Sequence, residues 1–88
     1  MKKVTFSGAY ERDVRKLIKR GKDLSKLHAV IDALAKGEPL APRNKPHPLK
    51  GAWNPKWDCH IEPDWLLIYE VTQDRVILSR TGTHSDLF

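Results

Sequence analysis

The stretch WDCHIEPDWLLIYEV (Trp57–Val71) decides the fold. In its first half Trp57, Cys59 and Ile61 alternate with Asp58, His60 and Glu62. A period of two sends successive side chains to opposite faces, so this is a strand with one dry face and one polar face. Trp65–Val71 is mostly apolar and reads as a central strand. Downstream, Gln73–Asp74 makes a turn, Arg75–Thr81 is a further strand and His84–Phe88 is a short tail.

Upstream the period changes. EPLAPRNKPHP (residues 38–48) carries four of the six prolines, which fix φ and donate no amide, so it is an extended loop. Before it, Leu24, Leu27, Val30, Ile31 and Leu34 form the apolar stripe of a helix capped by Asp23 and ended by Gly37. Earlier still, Tyr10, Val14, Leu17 and Ile18 recur at helical spacing within Ala9–Arg20. Arg12, Arg15, Lys16 and Lys19 fall on the opposite side. Ser7 caps that helix, Gly21 stops it, and Lys3–Phe6 is a short β-prone run.

The order is β-α-α followed by an antiparallel meander. The expected class is α+β, with two N-terminal helices packed on one face of a small antiparallel sheet. Trp57, Cys59 and Ile61 should face the helices. That leaves the other sheet face, with His60 on it, open to solvent or a ligand.

At 88 residues and 31% charged, the chain reads as one globular domain spanning 1–88. One cysteine excludes an internal disulfide and fits a reducing compartment. The longest apolar runs fall well short of the ~20 residues of a membrane span, and charge precedes any apolar stretch at the N-terminus, unlike a signal peptide. Residues 1–50 hold 13 Lys and Arg against 5 Asp and Glu, while residues 51–88 hold 3 against 6. The basic first half suits a polyanionic partner such as RNA, DNA or an acidic protein, or is simply a solvated helix face.

The chemistry-bearing residues gather in the second half: His47, His60, Asp64, Arg80, His84 and Phe88. Cutting RNA without a metal needs a base for the ribose 2′-OH, an acid for the departing 5′-oxygen and a cation for the charged phosphorane. Histidine suits the first two roles and arginine the third. Phe88 and Trp65 are candidates to stack on unpaired bases. Blander readings stand beside these. His28, at the edge of the second helix's stripe, is structural, and His47 between two prolines is a loop residue. Asp64 is a turn residue bonding its own backbone. Trp53, Trp57 and Tyr69 pack the sheet. A zinc site of Cys59, His60 and Asp64 is disfavoured, because neighbours on a strand point to opposite faces and no paired ligand spacing exists. Cys59 on the dry face is an inert core thiol.

Three blocks, HPLKGAW (47–53), DCHIEPDWLLIYE (58–70) and RTGTHSDLF (80–88), make the chain resemble the RelE/ParE superfamily of bacterial toxins, specifically the YafQ-type mRNA interferases. The resemblance implies a toxin of a type II toxin–antitoxin system that acts as a ribosome-dependent endoribonuclease, cutting mRNA in the A site. It implies no metal and no cofactor. It implies a cognate antitoxin with a ribbon-helix-helix DNA-binding domain, operator DNA bound only through that antitoxin, no membrane, and a bacterial cytoplasmic location. His47, His60, Asp64, Arg80, His84 and Phe88 match the family's active-site positions, with Trp65 beside them. On that pattern His84 is the principal acid or base, Asp64 or His60 its complement, and Arg80 steadies the phosphorane. His47 contacts phosphate or shares the proton transfer. The rival is a non-enzymatic, ParE-like inhibitor of DNA gyrase on the same fold. One conflict is left to the structure. In a regular strand Arg80 shares a face with Val76 and Leu78. If those two face the helices, only a bulge brings Arg80 to the open face.

Overall fold

In a computed structural model, which describes all 88 residues, the chain forms β1 (Lys3–Phe6), α1 (Gly8–Lys19), α2 (Ser25–Lys36), β2 (His47–Pro48), β3 (Trp57–Glu62), β4 (Trp65–Val71), β5 (Arg75–Gly82) and α3 (His84–Leu87). The fold is α+β. The five strands lie in the order β1-β5-β4-β3-β2. All neighbours are antiparallel except β1 and β5, which are parallel, with Lys3 opposite Arg75. A parallel pair needs a long crossover, and α1, α2 and the meander supply it. No helix is long and apolar enough to cross a membrane.

The cap of α1 and the stop of α2 act as the sequence indicates, and the cap of α2 does not. Ser7 Oγ accepts the Tyr10 amide at 3.0 Å and starts α1. Asp23 does not cap α2: Leu24 holds the cap position with no side-chain bond, and Asp23 Oδ1 instead accepts the Ser25 amide at 2.9 Å in a turn just ahead of the helix, which Gly37, with φ of +72°, ends in the left-handed conformation. Tyr10, Leu17, Leu27, Val30 and Leu34 of the helices bury against Cys59, Ile61, Leu67, Tyr69, Val76 and Leu78 of the sheet. Ile18, expected on the inner stripe, is exposed, and so is His28. Asp13, by contrast, is buried.

The opposite sheet face is not simply open, as the sequence led us to expect. Leu66 and Ile68 of β4 are fully buried there beneath Leu87, with Leu49 and Trp53 alongside. The roof comes from the tail and from residues 49–53, just after the Pro-rich loop. The tail is a helical turn held by a capping box, in which Thr83 Oγ1 accepts the Asp86 amide and Asp86 Oδ2 accepts the Thr83 amide. Gly82 precedes it because a β-carbon there would lie 2.9 Å from Asp86 Oδ2. The Pro-rich segment contains a 3-10 turn at Pro42–Asn44 and then β2, an edge strand where proline is tolerated. Asn44 is buried and donates its amide to the His60 carbonyl at 2.7 Å, tying this segment to β3.

The Arg80 conflict resolves through a bulge. Tyr69 pairs with Leu78 but Ile68 pairs with Arg80, so Ser79 is an extra residue on β5. The parity flips there. Val76 and Leu78 face the helices, and Arg80 lies opposite Ile68 on the second face.

Candidate active site

His60 reaches the second face from β3, Arg80 from β5 past the bulge, His84 from the first position of α3, and His47 from β2. Asp64 sits in the tight turn between β3 and β4. Its Oδ1 accepts the backbone amide of His84 at 3.1 Å and the His84 Nδ1–H at 2.7 Å. Those bonds hold the Asp64 carboxyl below the usual range. The His60 and His84 rings lie 5.9 Å apart between centroids.

The three histidines share one feature. His60 Nδ1 lies 3.2 Å from the Pro63 carbonyl and His47 Nδ1 lies 3.1 Å from the Lys45 carbonyl. A carbonyl or a carboxylate only accepts, so each of the three Nδ1 atoms carries the proton it donates. Each Nε2 is left with its lone pair, able to take a proton or, once protonated, to give one.

Arg80 is pinned. Its Nε and Nη2 donate to the two oxygens of Asp13 at 2.7 and 3.1 Å, and the Thr81 amide donates to Asp13 Oδ2 at 3.1 Å. Asp13 thus occupies the edge of β5 where β1 has stopped. It holds the guanidinium firmly charged and leaves the remaining N–H groups for another anion. The sequence carried a signal for this residue. Asp13 falls three residues after Tyr10 and four before Leu17, a charged group on an apolar stripe.

Phe88 is 60% exposed and packs edge-on against Trp53, with ring centroids 5.6 Å apart. Trp65 must be corrected. It is 1% exposed, its face on the helix-side core, its indole N–H donating to the buried Thr81 hydroxyl at 2.9 Å, and Lys22 over its ring. No base reaches it, so Trp65 is a core residue and not a stacking platform.

Asp58 was read as part of the solvated face of β3, and it is buried. Its strand neighbours are His47 on β2 and Ile68 on β4. Cys59, on the other face, is fully buried, and burial and the nearby Asp58 charge push its thiol up to about 12. No group of three or more His, Cys, Asp or Glu side chains is placed to hold a metal ion. A groove of about 870 Å³ runs between α2, residues 39–45 and the end of β3. His60 forms part of its wall, whereas His47, Asp64, Arg80 and His84 lie outside it.

Residues 2–88 match the family model described as a bacterial toxin of type II toxin–antitoxin systems, YafQ. The chain is 43% identical over 86 residues to the mRNA interferase toxin YafQ of Escherichia coli K12, covering 97% of this chain and 94% of that protein. A copper-bound mutant toxin from Helicobacter pylori superposes with a TM-score of 0.95 at 45% identity, over the whole of both chains. YafQ in the Escherichia coli DinJ–YafQ complex superposes with a TM-score of 0.92 at 39% identity, covering 100% of this chain and 99% of that one.

Proposed function

The chain belongs to the YafQ family of bacterial type II toxin–antitoxin toxins, and we propose that it is an mRNA interferase that cuts mRNA in the A site of the ribosome by side-chain acid–base catalysis. The observation that carries this reading is His84. Asp64 takes its Nδ1–H at 2.7 Å, which fixes the ring and turns Nε2 away from the protein.

The reaction follows from the residues around it. One imidazole Nε2 takes the proton from the ribose 2′-OH. The alkoxide attacks the adjacent phosphorus and forms a phosphorane. The bond to the 5′-oxygen breaks as a protonated imidazole donates to that oxygen. The products are a 2′,3′-cyclic phosphate and a 5′-hydroxyl. His84 is the principal acid or base, with Asp64 as its orienting carboxylate. His60, 5.9 Å away ring to ring, is its complement. Arg80, held by Asp13, steadies the phosphorane with its free N–H groups. His47 contacts phosphate or shares proton transfer, and Phe88 stacks on a base. These groups titrate as a set, so no single pKa belongs to one of them.

His60 lines one wall of the groove beside α2, while His47, His84 and Arg80 lie on the surface outside it. Such a surface positions a flexible strand poorly. The ribosome supplies the missing orientation, which is worth several kcal/mol of barrier. The exposed basic residues of α1, Arg12, Arg15, Lys16 and Lys19, suit either ribosomal RNA phosphates or an acidic stretch of an antitoxin. Occupation by one excludes the other. YafQ of Escherichia coli was solved with DinJ, and a cognate antitoxin is proposed here by analogy, with operator DNA bound through it. A cytoplasmic setting goes with a ribosomal target.

His84→Ala tests the reading. Removing a positioned acid or base costs roughly 10²–10⁴-fold in rate. Single-turnover cleavage of mRNA on programmed ribosomes should fall by that much with the thermal melt unchanged, while exposed His28→Ala should cleave like the parent. Naked mRNA should be cut slowly or not at all. Full-rate cleavage by His84→Ala would remove the catalytic assignment, and comparable rates on naked and ribosome-bound mRNA would remove the ribosome.

A further inference from the structure

A buried carboxylate behind the histidines is used by none of the steps above. Asp58 is 5% exposed, and its Oδ1 has no hydrogen-bond donor. The nearest candidate is His47, whose Nδ1 lies 3.0 Å away. That approach is close enough for charge attraction, but the N–H points at the Lys45 carbonyl, 3.1 Å off, and not at the carboxylate. A buried carboxylate oxygen without a donor is costly, and more so when the group is charged. Burial accordingly raises the Asp58 carboxyl, against the pull of His47, His60 and His84. Cys59 and Tyr69 are raised mainly by their own burial, with the Asp58 charge a smaller contribution to each. Natural folds keep such a group at a cost in stability where function needs it.

We propose that Asp58 is a positioning residue that acts through His47: its buried oxygen is the acceptor that draws the His47 Nδ1–H off the Lys45 carbonyl and fixes that ring with Nε2 outward. This rests on the nuclease reading above. The swing is short, because both acceptors already lie within 3.1 Å of the same nitrogen. It also gives the orphaned oxygen its missing donor. His47 and His84 are then built alike, each with a carboxylate behind Nδ1, one buried and one exposed. In the pairing of β2 with β3 these same two residues stand opposite each other.

The test is Asp58→Asn, which keeps the shape and removes the charge. Thermal stability should equal or exceed the parent's, since a poorly satisfied buried charge is gone. Single-turnover cleavage on ribosomes should nevertheless fall by between about 10-fold and 10⁴-fold, the span seen when a carboxylate that orients a histidine is lost. In a His47→Ala background the same change should cost nothing further. In the free protein the nitrogen-15 shift of His47 Nδ1 should move in Asp58→Asn, while that of His28 stays. An unchanged cleavage rate overturns the proposal. So does a loss that matches lost folding, or one that multiplies with His47→Ala. If the parent itself does not cut, the nuclease reading fails, and the Nδ1 shift alone decides on Asp58: unmoved, it overturns the proposal. Should Asp58→Asn not fold, the carboxyl carbon-13 titration of Asp58 in His47→Ala replaces it. An upward move supports the link, and no move overturns it.

Discussion

Asp86→Ala should disarm the proposed site without touching any group in it. Asp86 clamps α3 from two sides. It accepts the Thr83 amide at 3.0 Å within the capping box, and it takes a forked pair of bonds from Arg20 of the α1 end at 2.8 and 3.1 Å. A helix of one turn does not stand alone. Losing the cap costs about 0.5–2 kcal/mol, and losing an ion pair whose arginine is 42% exposed costs ~1 kcal/mol at most. Together they weaken docking of α3 by about 10–100-fold. What remains is Leu87 on Leu66 and Ile68, worth about 2 kcal/mol, with the exposed Asp64–His84 bonds and the Phe88–Trp53 edge contact adding little, against ~1 kcal/mol for each residue that must be ordered. The tail therefore spends most of its time undocked, with His84 away from Asp64. Single-turnover cleavage should drop about 10-fold or more. Hydrogen exchange should show the Phe88 amide, bonded to the His84 carbonyl at 2.9 Å, losing protection while β4 amides keep theirs. Arg20→Ala, which removes only the ion pair, should lose less. Parent-rate cleavage by an Asp86→Ala protein with an unprotected Phe88 amide would refute the reasoning, because catalysis would then not need α3 in place.

Three further outcomes are expected. Asp86 and Asp64 both titrate below an unfolded carboxylate, so their contribution is complete above about pH 4 and is lost as pH falls further; the thermal midpoint should decline in that acid range, and decline less in Asp86→Ala. Trp65→Phe should cost ~1–3 kcal/mol in denaturant unfolding, since it removes the buried bond to Thr81, yet the folded variant should cleave near the parent's rate. EDTA should leave cleavage unchanged beyond its effect on the ribosome's own magnesium, and rescue of chelated enzyme by added metal would displace the side-chain mechanism.

The strands and helices were legible because each has its own period and its own stops: alternation over 57–62, helical stripes ending at Gly21 and Gly37, prolines between. What escaped the sequence was set by contacts between distant segments. Asp58 sits at a polar position of β3, and only pairing with His47 and the roof over that face bury it. Ser79 carries no mark of a bulge. The parity change that brings Arg80 to the second face is seen only in its pairing, and Asp13 completes the edge where β1 ends. Trp65 was misplaced for the converse reason. An aromatic residue beside a catalytic motif looks like a stacking platform, but its neighbour Leu66 takes the second face and sends Trp65 into the helix-side core.

The parallel pairing of β1 with β5 has a consequence for how the protein is made. The first strand emerges early in synthesis, and its only partner is a strand 72 positions further on, as Lys3 opposite Arg75 shows. Closing so long a loop is slow, and nothing rewards it until β5 exists. β5 also carries the bulge and Arg80, and α3 with His84 follows it. A nascent chain therefore builds its helices first and its proposed catalytic group last. Any chain interrupted before residue 75 has no sheet partner for its N-terminus and no armed site. On the proposed reading, an incomplete copy carries no site with which to attack the ribosome that is making it.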